Sequence, residues 1–155
     1  NYYFHGDIGL KYKLSSAIFF NANFREVFEK KSSGWVQEHR PHGTVSMKKK
    51  FGLISTTGRI RMEYRIKDSG SSFRNRNMVS VDLGSGWTSL KVIPYFADEM
   101  FYDLSSNEIN RNRFYIGCKI KNLTRIKPTI YFMQQRSLKN NEWDTIGVLG
   151  IKISF

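Results

Sequence analysis

Between Arg59 and Ile66 the chain alternates without a break: Arg59, Arg61, Glu63 and Arg65 fall on one parity, Ile60, Met62, Tyr64 and Ile66 on the other. A period of two sends these sets to opposite faces of a β-strand, whereas a helix would scatter both around its axis. The pattern returns in distant segments. Phe114, Ile116, Cys118 and Ile120 oppose Tyr115, Gly117, Lys119 and Lys121, and Leu149, Ile151, Ile153 and Phe155 oppose Gly150, Lys152 and Ser154. Near the start, Phe4, Ile8, Leu10, Tyr12 and Leu14 oppose His5, Asp7, Lys11 and Lys13.

About nine such segments are expected, over residues 2–14, 17–29, 35–48, 53–67, 73–83, 89–102, 111–122, 126–137 and 144–155. With no helical period and no linker between them, residues 1–155 read as one all-β domain. Aromatic residues make up 15% of the chain, as suits a pleated surface. No stretch approaches the roughly 20 apolar residues of a membrane-spanning helix. A barrel strand, however, needs only about 10 alternating residues, so half of them can be polar. The single cysteine, Cys118, has no partner for an internal disulfide, and no Cys/His spacing marks a metal site, so no metal and no cofactor are expected.

A soluble antiparallel sheet also alternates, and the connections are used to separate the two readings. Those after the first, third, fifth and seventh segments look compact (Leu14-Ser15-Ser16, Lys49 to Gly52, Gly84-Ser85-Gly86, Asn122-Leu123-Thr124). Those after the second, fourth, sixth and eighth look longer and more polar (Glu29 to Trp35, Lys67 to Ser72, Asp103 to Asn110, Ser137 to Asp144). Tight turns on one side and long loops on the other are the habit of outer-membrane barrels. Trp35, Trp87 and Trp143, with Tyr102, stand at segment ends where an interfacial aromatic girdle would place them. The chain closes on an alternating strand ending at Phe155, which resembles the terminal insertion signal of bacterial outer-membrane proteins. The expected fold is an antiparallel up-and-down transmembrane β-barrel. If its last strand ends in the periplasm, parity places Asn1 outside, so one or three strands are expected before it and a complete barrel of about 10 to 12.

Trp35 to His42, Phe73 to Asn77, Pro94 to Leu104, Asn110 to Gly117 and the Asp144 to Phe155 ending together are similar to an uncharacterised domain-of-unknown-function family of Gram-negative outer-membrane β-barrels. The resemblance is close over residues 35–155 and loose over 1–34. Pro94-Tyr95, Glu99, Asn112-Arg113 and Trp143-Asp144 fill the places of the family's Pro-Tyr strand, acidic residue, Asn-Arg pair and Trp-Asp. It implies an integral protein of the bacterial outer membrane, exported by a signal peptide, and no particular chemistry. The family's first strands have no counterpart here, in agreement with the parity argument.

With the apolar face toward lipid, the other face gathers Asp7, Arg25, Glu38, Arg40, Arg59, Arg61, Glu63, Arg65, Arg74, Arg76, Glu99, Arg111 and Arg113. In a narrow barrel, guanidinium and carboxylate groups on neighbouring strands pair and fill the lumen. The arginine excess leaves a narrow anion-selective channel as an alternative. A lipid-modifying enzyme is a further one, but His39 and His42, three apart in a strand, face opposite ways, and no Gly-x-Ser-x-Gly motif exists. No catalytic residues are therefore assigned. A net charge of +12 with interleaved aromatics would also suit a soluble basic β-module on nucleic acid. The arginines are spread opposite apolar rows, so no nucleic acid is expected. Lys30-Lys31 and Lys48-Lys49-Lys50 suit lipopolysaccharide or lipid phosphates. The expected role is that of a structural or accessory component, in contact with outer-membrane lipid and with other outer-membrane proteins.

Overall fold

The computed structural model describes residues 2–32, 34–84, 89, 91–121 and 126–154. Nine strands follow one another: β1 (Tyr3–Lys13), β2 (Ile18–Lys31), β3 (Gly34–Phe51), β4 (Ile54–Lys67), β5 (Gly70–Asp82), β6 (Val92–Asp103), β7 (Glu108–Ile120), β8 (Lys127–Lys139) and β9 (Glu142–Ser154). They form one up-and-down antiparallel sheet in chain order, with β1 and β9 at its two ends. No helix occurs among the described residues.

Burial follows the alternation read from the residues most clearly in β3 and β6. In β3, Glu38, Arg40, His42 and Thr44 are buried, His39, Pro41 and Gly43 between them are half-exposed, and Trp35, Gln37, Val45 and Met47 on either side are exposed. In β6, Ile93, Tyr95, Ala97, Glu99 and Phe101 are buried while Phe96, Asp98 and Met100 are exposed. His39 and His42 do face opposite ways: His42 is buried and His39 half-exposed.

The expected alternation of compact and long connections is not found. β2 ends at Lys31 and β3 begins at Gly34, β4 ends at Lys67 and β5 begins at Gly70, and β8 ends at Lys139 and β9 begins at Glu142. The compact turns expected at Gly84-Ser85-Gly86 and Asn122-Leu123-Thr124 lie, except for Gly84, outside the described residues. In a sheet with one polar face, a polar run is a choice of facing rather than a loop signal, so most of the Lys67 to Ser72 and Ser137 to Asp144 stretches stay in strand. Turn chemistry makes such tight reversals possible. Asn140 and Asn141 both take positive φ (51° and 64°), the conformation of a two-residue type I′ hairpin that continues the pairing at Lys139↔Glu142.

By packing, the chain divides into two compact units. The first comprises Asn1–Met47, Arg59–Asn77 and Phe101–Glu108, the second Lys48–Gly58, Met78–Met100 and Ile109–Phe155. The first unit buries Val27 and Phe101 together with Glu38, Arg40, His42, Thr44, Glu63, Arg74 and Arg76. The second buries Ile93, Tyr95 and Ala97 together with Ser55, Glu99 and Ser137.

Candidate functional site

The densest chemistry lies on the polar face of the first unit, where strands β1 to β5 each contribute alternate residues. Glu63 on β4 is fully buried and its two oxygens are taken by different arginines of β5. Arg74 donates from Nε (3.1 Å) and Nη2 (2.6 Å) to Oε2, and Arg76 donates from Nη1 (2.7 Å) to Oε1. Arg61 approaches Oε1 at 3.6 Å and donates from Nε to Thr44 Oγ1 at 3.0 Å. The Phe101 ring lies against both β5 guanidinium groups, 5.3 Å from Arg74 and 4.5 Å from Arg76. Three cations around one carboxylate, with an aromatic face to cover two of them, is how a buried glutamate is kept ionised.

Glu38 on β3 is a second hub. Arg65 donates to both of its oxygens (2.7 and 3.0 Å), Arg40 donates from Nε at 2.8 Å, and Lys67 stands at 3.7 Å. Asp7 on β1 accepts from Arg25 Nε (2.8 Å), Arg25 Nη2 (2.6 Å) and Asn23 Nδ2 (2.9 Å), with His42 Nε2 at 3.9 Å. These cross-strand pairs tie β1 to β2, β3 to β4 and β4 to β5 through ionic side chains.

In the second unit, Lys119 reaches Asp82 at 2.6 Å over the ring of Tyr95, 4.8 Å away, and Arg113 donates to Gln135 Oε1 at 2.7 Å. Glu99 is buried and Arg111 and Arg113 are half-buried. Of the residues read as one ionic face, Asp7, Arg25, Glu38, Arg40, Arg61, Glu63, Arg65, Arg74 and Arg76 meet in the three clusters of the first unit. Arg59 is half-buried on the same parity of β4. Thr44, Asn23, Lys67 and Phe101 are absent from the ionic face read from the sequence, and His42 is read there only as facing away from His39. Their parity would have found them, since each alternates with a charged residue already on that face.

The opposite face is apolar and exposed: Ile8, Leu10, Phe20, Phe24, Ile60 and Met62 in the first unit, Phe114, Ile116, Ile130, Phe132, Leu149 and Ile151 in the second. At its margin Trp35 packs against Phe4 (5.7 Å), which stacks on Phe28 (4.9 Å). Trp143 lies under Arg136 (5.3 Å), and the Tyr102 hydroxyl donates to Asn107. Trp87 and Phe155 lie outside the described residues. Among the described residues no group of His, Cys, Asp and Glu could hold a metal ion.

A family model described as protein of unknown function (DUF2490) matches residues 1–145. The chain belongs to the DUF2490 family. No curated protein and no solved structure matches it. Membership extends to the first strands, which were expected to match only loosely. The DUF2490 sheet thus joins a buried ionic face to an exposed apolar one, and its family supplies no activity to attach to either.

Proposed function

We propose that this chain forms part of the wall of an outer-membrane β-barrel and serves a structural or accessory role, as a subunit of a larger outer-membrane assembly, with its interior closed by ion pairs. The observation that carries this reading is the inversion of polarity. Among the described residues ten polar or charged side chains are buried against five apolar ones, while large apolar side chains line the exposed face. In water that arrangement leaves the hydrophobic effect unspent. In lipid it is the low-energy one, because the apolar face needs no cover and the guanidinium–carboxylate pairs are withdrawn from hydrocarbon.

Strand length agrees. The strands run from 11 to 18 residues, enough for the roughly 9–11 residues that a tilted membrane strand requires. β1 is exposed along its whole length and β9 along nearly all of it. A strand edge in lipid must find hydrogen-bond partners, which further strands of the same chain or a neighbouring polypeptide would supply.

The test is expression of the full precursor in a Gram-negative host, followed by detergent extraction and semi-native electrophoresis with and without heating. A heat-modifiable band confined to the outer-membrane fraction is the expected result. A soluble band of unchanged mobility would overturn the proposal.

A further inference from the structure

We propose that the polar face of the second unit binds multiply charged phosphate esters from solution, between Lys127 of β8 and Lys152 of β9; the site goes beyond the membrane reading and stands on the sheet alone. Lys119↔Thr129 and Thr129↔Lys152 are successive partners across β7, β8 and β9, so these two lysines and the threonine share one face. Lys127 stands two residues from Thr129 along β8 and therefore on that face too. The face is the polar one. Ser137, of the same parity on β8, is buried, and Lys119 donates to Asp82 at 2.6 Å over the Tyr95 ring. Lys127 pairs with Ser154 and Thr129 with Lys152, which makes Lys127 and Lys152 diagonal neighbours about 7–8 Å apart. Two lysine side chains at that spacing can close on one anion, with the half-exposed Thr129 hydroxyl beneath it.

Charge balance calls for that anion. Among the described residues of this unit, Asp82 is the only acidic one at this end of the strands, and Lys119 takes it. Lys127 and Lys152 are exposed and have no acidic partner among the described residues. Lys48 and Lys50, on the polar parity at the close of β3, bring two more exposed ammonium groups to the same end of the unit. Lys139, at the far end of β8, instead meets Asp144 at 2.7 Å. Like charges on neighbouring strands repel, and a bound anion offsets that cost. Residue type selects phosphate over carboxylate. Asp7, Glu38 and Glu63 are each held by planar guanidinium groups. Here flexible stems carry compact ammonium groups with three donors apiece, which answer a multiply charged phosphate from several sides. Facing selects a dissolved ligand over a bilayer headgroup, since these lysines lie opposite the apolar row of Ile130, Phe132, Leu149 and Ile151.

Full-length protein is purified in a zwitterionic detergent, checked for its heat-modifiable band, and titrated with inorganic tripolyphosphate by calorimetry at low salt. Saturable binding is expected, weakening as sodium chloride screens it. Lys127→Gln and Lys152→Gln should each weaken it about tenfold, the scale of one charge-assisted hydrogen bond. Lys139→Gln removes the same charge from the far end of β8 and should leave the affinity unchanged. A folded wild type that shows no saturable binding, or equal losses for all three substitutions, overturns the site. Tighter binding of a glutamate decapeptide than of tripolyphosphate assigns the patch to an acidic polypeptide and overturns it as well. So does a wild type that retains phosphatidylglycerol through these lysines and ignores tripolyphosphate. A wild type that lacks the heat-modifiable band yet binds tripolyphosphate through Lys127 and Lys152 supports the site and overturns the membrane reading alone.

Discussion

Glu63 holds more of the polar face together than any neighbouring cation does. Arg61, Arg74 and Arg76 converge on its two oxygens, so removing it strands several buried charges at once, whereas removing one arginine leaves the others to compensate. Glu63→Ala should lower stability by about 3–5 kcal/mol, the cost of breaking a buried pair from one side. Urea titration of the reconstituted protein would register this as an earlier unfolding midpoint. The Lys139–Asp144 pair is just as short, at 2.7 Å, but both side chains are more than half exposed. Lys139→Ala should leave the same midpoint where it was, since water and salt already screen that pair. A midpoint insensitive to Glu63→Ala would mean that the ionic clusters decorate the face without supporting it. The facing of these residues was legible in the sequence, because parity along a strand survives any tertiary context. Their partners were not. That Glu63 meets Arg74 and Arg76 depends on the β4–β5 register, which no local pattern encodes.

At the scale of the strand, the two-residue hairpin between β8 and β9 depends on backbone conformation more than on contacts. Asn140 and Asn141 occupy the left-handed region, which asparagine tolerates and β-branched residues do not. Asn141→Val should cost about 1–2 kcal/mol through the clash of a branched side chain with its own backbone. Asn141→Gly should be neutral or slightly stabilising by the same urea assay. If both behave alike, the hairpin is held by the β8–β9 pairing and not by its turn. This hairpin also shows why strand number was readable and loop length was not. The polar run from Ser137 to Asp144 reads as a long connection because a loop and the polar face of a sheet draw on the same residue types. Only the Asn-Asn pair inside it separates two strand ends, and a pair of that kind reads as a tight reversal once turn chemistry is weighed above polarity.

At the scale of the molecule, the central inference is that the exposed apolar face meets lipid, and one substitution has a small effect on stability in one environment and a large one in the other. Phe132 lies on the outward parity of β8, is 46% exposed, and pairs across to Leu149 of β9. Were this face bathed in water, Phe132→Arg would change stability by less than about 0.5 kcal/mol, as surface replacements do, and would improve solubility by breaking an apolar patch. Facing hydrocarbon, the same arginine must be desolvated or must drag water inward, at about 2–4 kcal/mol near the bilayer midplane. Gln135→Arg on the opposite face of the same strand supplies the control. Gln135 accepts from Arg113 and donates to Ser137, so its loss disturbs a polar network without placing charge in lipid. Folding both variants into phospholipid vesicles and comparing their urea midpoints with the wild type decides the matter. A large loss for Phe132→Arg exceeding that for Gln135→Arg is expected. Equal midpoints, with the arginine variant gaining solubility in detergent-free buffer, would place the apolar face in water and require another polypeptide to cover it.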